Sequence, residues 1–151
     1  MKESGQSLVE IIVAVGLVMV TVTALLALGV IGIKSSGFGV AKAKAVKLAN
    51  EEMELVRAYR DATDWDRFNK IGNLGIAGCS SDEGARCCIS NADGLTLTTI
   101  GSESIPPFTR YFIASPNIEG KNSYTVTVYV SWADQSGEHV VKDSSIFTNW
   151  R

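Results

Sequence analysis

Histidine is almost missing from this chain of 151 residues: His139 is the only one. A multi-histidine metal centre is therefore excluded. A histidine-based nucleophilic relay would rest on His139 with Asp143 and Ser144, whose spacing along one short segment supports no nucleophile-base geometry. A positive surplus is also lacking: 14 Lys and Arg stand against 16 Asp and Glu, a formal net charge of -2, which offers nothing to a nucleic acid. No glycine-rich phosphate loop or nucleotide motif occurs. These absences predict a protein that is not an enzyme and needs no cofactor. Cysteine is scarce and odd in number, with three in all.

The chain does hold a long apolar run. From Ile11 to Ile33 only Thr21 and Thr23 are polar. At about 1.5 Å of rise per residue, a helix of that length covers roughly 35 Å, more than the ~30 Å hydrocarbon core of a bilayer. A cleavable secretory signal has an apolar region of about 7–15 residues followed by a small-residue cleavage site. Here the run is longer and is followed by Lys34-Ser35-Ser36, so a permanent span is expected.

Glu10 stands at the head of that run with no basic residue within a helical turn. An ionisable group in hydrocarbon costs about 2.5–3.5 kcal/mol at the centre of a span and less near an end, which makes Glu10 a functional-site candidate whose partner must come from elsewhere. A plain signal anchor with one acid at its start is the bland alternative. The segment Gly5-Gln6-Ser7-Leu8-Val9-Glu10 and the helix behind it resemble the prepilin leader of type IV pilins and type II secretion pseudopilins. The resemblance implies cleavage by a prepilin peptidase between Gly5 and Gln6, with Glu10 as the fifth mature residue. It also implies that Glu10 pairs with the freed α-amino group of a neighbouring subunit during filament assembly. The family's usual first mature residue is phenylalanine, often N-methylated, whereas here it is Gln6.

The expected organisation is a leader at 1–5, a membrane or filament-core half-helix at 6–33, an amphipathic half-helix at 34–62, and a globular head at 63–151. Charge counting alone, with Lys2 before the span and Lys34, Lys42, Lys44 and Lys47 after it, would put the head in the cytoplasm. The leader resemblance implies the opposite: a single-pass protein of the cytoplasmic (inner) membrane with its C-terminal domain outside, and an extracellular or periplasmic filament after assembly.

Ser35-Ser36-Gly37-Phe38-Gly39 carries two glycines, each about 1 kcal/mol worse than alanine in a helix, so a bend, or a turn between two helices, is expected there. From Val40 to about Asp61 the residues Ala41, Ala45, Leu48, Leu55 and Tyr59, widened by Val46, Ala49, Met53 and Val56, form an apolar stripe. Lys42, Lys44, Lys47, Glu51, Glu52, Glu54, Arg57 and Arg60 read as its solvated face. The stretch Leu48 to Arg57 is also similar to the corresponding helix of minor pilins. Asp61, Asp64 and Asp66 lack the glycine and closing glutamate of an EF-hand and read as helix-ending residues, with Trp65 and Phe68 anchoring the exit.

The loop from Asn69 to Asn91 holds Cys79, Cys87 and Cys88. Outside the membrane thiols oxidise, and one disulfide is expected, from Cys79 to either Cys87 or Cys88, worth about 2–3 kcal/mol. A zinc site would want a fourth ligand, and His139 is far off in sequence. No metal site is expected.

The last third reads as β-structure, with strands at Leu95 to Ile100, Phe108 to Ala114, Tyr124 to Trp132 and Glu138 to Phe147. The last two form a hairpin through Ala133 to Gly137. Alternation puts Tyr124, Val126, Val128, Val130 and Trp132 on one face, which should cover the helix from Val40 to Tyr59. The expected fold is α+β and pilin-like, a long N-terminal helix packed on a C-terminal antiparallel sheet. Tyr129, Trp132 and Trp150 could form a binding surface, although strand aromatics more often enter a core.

Two functions follow as expectations. One is a structural subunit of a pilus-like or pseudopilus filament, of the minor-pilin kind, whose partners are a prepilin peptidase, other pilin subunits and the membrane. The other is a membrane-anchored adhesion or binding domain that does not polymerise.

Overall fold

The computed structural model describes residues 4–69, 79, 86–90, 94–99, 101–116 and 123–149. Most of the Asn69 to Asn91 loop lies outside the described residues, as do Trp150 and leader residues 1–3. The chain divides into two compact units, Met1–Ala41 and Lys42–Arg151.

Helix α1 runs Ser4–Ala62. It passes through Gly37 and Gly39 without interruption, so the turn between two helices is absent. Two glycines weaken a helix by about 2 kcal/mol together, but ending it there would orphan four carbonyls and four amides. Within the apolar run Thr21 and Thr23 direct their hydroxyls back onto the helix. Thr21 donates to the Val18 carbonyl at 2.9 Å, and Thr23 to those of Met19 and Val20 at 3.0 and 2.9 Å. Both are thereby satisfied without water. A one-turn helix, α2 (Trp65–Phe68), follows, and the Asp64 carbonyl at its start accepts the amides of Arg67 and Phe68.

The second unit is built on one antiparallel sheet: β1 (Cys87–Ser90), β2 (Thr96–Thr99), β3 (Glu103–Ile105), β4 (Phe108–Pro116), β5 (Ser123–Asp134) and β6 (Gly137–Thr148). Its order is β2-β1-β4-β5-β6, with β3 also pairing β4. The β5 and β6 strands are each about twice the mean strand length, because alternation continues unbroken from Tyr124 to Trp132 and the turn that follows is built for reversal. There the Ser136 amide donates to Asp134 Oδ1 at 2.6 Å, and Gly137 takes a φ of 126° that a side chain would resist.

Sheet and helix share a core. Ala45, Ala49, Met53, Val56 and Tyr59 of α1 are buried, as are Phe108, Phe112, Ala114, Val126, Val128, Val130, Trp132 and Phe147 of the sheet. This is the expected α+β layout, with the predicted face of β5 turned inward. Side chains of this size contribute about 1.5–3 kcal/mol each on full burial. Phe68 is also fully buried, 6.0 Å from the Phe147 ring and 5.4 Å from Trp65, so the predicted aromatic anchor closes the helix exit. The buried stripe is narrower than expected. Val46 is 40% exposed and lines an open groove with Leu55, because sheet contact reaches only one side of the helix.

Candidate functional site

In the first unit, the large apolar side chains from Leu8 to Ile33 are exposed. Their exposure runs from 47% at Val15 to 76% at Ile33. A helix this apolar on every side is stable only where lipid or other protein covers it, and its length suffices to cross a bilayer. Glu10 lies on this helix and is exposed. Gly5 and Gln6 fall on its first turns.

The second unit holds a charge cluster that the sequence reading missed. Glu52, expected on the solvated face, is 0% exposed, and Arg110 on β4 is 5% exposed. Arg110 Nε lies 3.0 Å from Glu52 Oε2 but off the line a hydrogen bond needs, so the attraction is coulombic. The same guanidinium donates to Glu103 on β3 and to the Leu48 carbonyl at 3.3 Å. The other oxygen of Glu52 accepts the Ile89 amide at 2.8 Å. Strand β1 meets β4 at one register position, Cys87 opposite Phe112, and Glu52 takes the amide two residues on. One carboxylate thus ties α1 to β1 and β4. Two signals for this pair were present in the sequence. Arg110 alternates with Phe108 and Phe112, and Glu52 sits at helical spacing from Ala49 and Val56.

Burial pushes the Glu52 carboxyl above its ordinary range, with the nearby Glu103 charge adding to this, against the opposing pull of the Ile89 amide and Arg110. Its neutral form is therefore favoured by folding. That contribution is complete below the ordinary glutamate range and is lost as pH rises through the raised value. Thermal unfolding measured from acid to neutral pH should show the parent losing stability across that window relative to Glu52→Gln. Parallel curves would exclude Glu52 as the titrating group.

The predicted disulfide is present and joins Cys79 to Cys87, with Cα atoms 5.6 Å apart. Cys88 is free and half-buried, and burial pushes its thiol up, with Glu52 and Glu103 adding to the effect. Among the described residues no three His, Cys, Asp or Glu side chains converge as a metal site would need. His139 faces Asp134 across the hairpin, Nε2 to Oδ1 at 3.0 Å, and this contact and the Ser136 amide hold the Asp134 carboxyl below its usual range. Asp143 and Ser144 alternate to opposite faces of β6 and form no relay with it. Of the candidate aromatic surface, Trp132 is core, while Tyr129 points to the opposite face of the sheet.

No family model, no curated protein and no solved structure matches this chain.

Proposed function

We propose that this protein is a prepilin whose mature form is a structural subunit, of the minor-pilin kind, in a type IV pilus-like or pseudopilus filament. A prepilin peptidase cuts between Gly5 and Gln6. Before assembly the chain crosses the inner membrane once, with the Lys42–Arg151 unit outside. The observation that carries the reading is the exposed apolar helix headed by Glu10, the one acid between Gly5 and Lys34. Lipid can cover the apolar side chains, but only a neighbouring charge can compensate the carboxylate. A cluster of like helices supplies both, since each brings an apolar flank and, once cleaved, an α-amino group near the depth of Glu10. The α+β head, with its own core and disulfide, supports a folded structural subunit.

Processing is the direct test. The mature chain should begin at Gln6, and Gly5→Val should leave the leader in place by obstructing the peptidase. Intact mass and N-terminal sequencing of protein from membranes with a prepilin peptidase read both. A mature chain still beginning at Met1 would reduce the protein to a membrane-anchored domain that does not polymerise.

A further inference from the structure

The outward face of the sheet carries a row of side chains that neither the core nor the filament reading uses. Alternation sends Tyr111 on β4, Tyr129 on β5 and Lys142 on β6 away from the core, and the register sets Tyr111 opposite Tyr129 and Tyr129 opposite Lys142. The two rings lie with centroids 5.0 Å apart and planes 7° from parallel. Coplanar rings cannot approach so closely, so these stand face to face. Arg86 closes one end of the row, its guanidinium carbon 4.6 Å from the Tyr111 centroid. Lys142 closes the other, its ammonium 5.2 Å from the Tyr129 centroid.

This stacking decides which groups remain open. Each tyrosine ring already has the other ring and a cation against it, so a nucleobase or a neutral sugar ring would have to displace one of these to stack. A guanidinium lying over a ring keeps its N–H edge free, which is the edge that recognises a carboxylate. The Lys142 ammonium likewise has donors to spare beyond the ring. Around the row the same face of β4, β5 and β6 carries hydroxyls, among them Thr109, Ser131 and the pair Thr127 and Ser144, which hydrogen-bond each other at 3.0 Å, with the exposed apolar side chains Val140 and Ile146 beside them on β6. On those three strands its one carboxylate is Glu138, roughly 13 Å along β6 from Lys142. Among the described residues this face therefore carries two cations, Arg86 and Lys142, against the one carboxylate of Glu138, and it is rich in hydroxyls.

We propose that this face binds an acidic polysaccharide: a uronic-acid chain lying across the strands, with carboxylates on Arg86 and Lys142 and sugar hydroxyls on the tyrosine, threonine and serine hydroxyls. Charge complementarity calls for the anion, and the hydroxyl surface calls for a ligand that is itself dense in hydroxyls, which an acidic peptide is not.

The test is titration of the full chain in non-ionic detergent with polygalacturonate at low salt, with neutral dextran, poly-glutamate and oligodeoxythymidylate as comparison ligands. Polygalacturonate should bind in preference to the other three. Arg86→Gln with Lys142→Gln should weaken it by about tenfold or more, since two charge-assisted contacts are lost. Lys44→Gln, on the helix, should leave it unchanged. Arg86 and Lys142 are exposed, so an unaltered thermal midpoint shows that the double variant is folded. Failure of the parent to bind polygalacturonate overturns the proposal. So does equal or tighter binding of poly-glutamate or oligodeoxythymidylate, or undiminished binding by the double variant.

Discussion

Glu10→Gln is expected to insert into membranes as well as the parent does and to be nearly absent from filaments. Two unit charges about 4 Å apart attract by roughly 4 kcal/mol at an effective dielectric of 20. That is comparable to the ~2.5–3.5 kcal/mol that one charge costs in hydrocarbon, so in the proposed filament a neighbour's α-amino group would offset the cost of the carboxylate. Glutamine keeps the size and helicity and is cheaper in lipid, so the single subunit is not harmed. What disappears is the attraction that draws an incoming helix to the right depth. A loss of a few kcal/mol at each addition changes the assembly constant by about two to three orders of magnitude. The control is Glu51→Gln. Glu51 is about half exposed, pairs with Lys47 at 3.5 Å and lies 3.9 Å from Arg110, and contacts of so exposed a carboxylate are worth at most about 1 kcal/mol. Comparing the sheared filament fraction with the membrane fraction for both variants decides the matter. Incorporation of Glu10→Gln at the parent's level would rule out the charge pairing.

Arg110→Ala is expected to be the most damaging single change in the head. It removes the only cation paired with the buried Glu52 carboxylate among the described residues and also the donor to the Leu48 carbonyl. Breaking a buried pair from one side costs about 3–5 kcal/mol, because the remaining carboxyl must either stay charged without a partner or take up a proton. For a unit of this size that lowers the unfolding midpoint by roughly 10–30 °C. The loss should shrink in acid, where Glu52 takes up a proton and no longer needs the guanidinium. Arg110→Met combined with Glu52→Gln should recover most of it. Glutamine still accepts the Ile89 amide, and no charge is then left buried between helix and sheet. Circular dichroism melts of the full chain in micelles, at acid and neutral pH, read all of this. A midpoint for Arg110→Ala equal to the parent's would mean that the pair contributes nothing to the fold.

Local periodicity was enough to define much of this protein. The apolar run to Ile33, the stripe from Ala45 to Tyr59 and the alternation from Tyr124 to Trp132 each carry their own repeat, so helix, sheet and the face each turns to the core could be read without coordinates. The β5–β6 hairpin was legible for the same reason, and the disulfide was narrowed to Cys79 with one of two neighbours. Other features required elements distant in sequence to meet. Cys87 rather than Cys88 bonds Cys79 because β1, too short to announce itself, pairs with β4 and alternates Cys87 inward opposite Phe112. The three-residue β3 exists because β4 offers its opening residues an edge. Glu52 looked like one more acid among Glu51 and Glu54, and a helix surface cannot tell its own residues which of them a sheet will cover. Only the docking of β1 and β4 decided that Glu52 alone of the three would be sealed in. A carboxylate can occupy that place because Arg110, 58 positions away in the chain, alternates onto the same face.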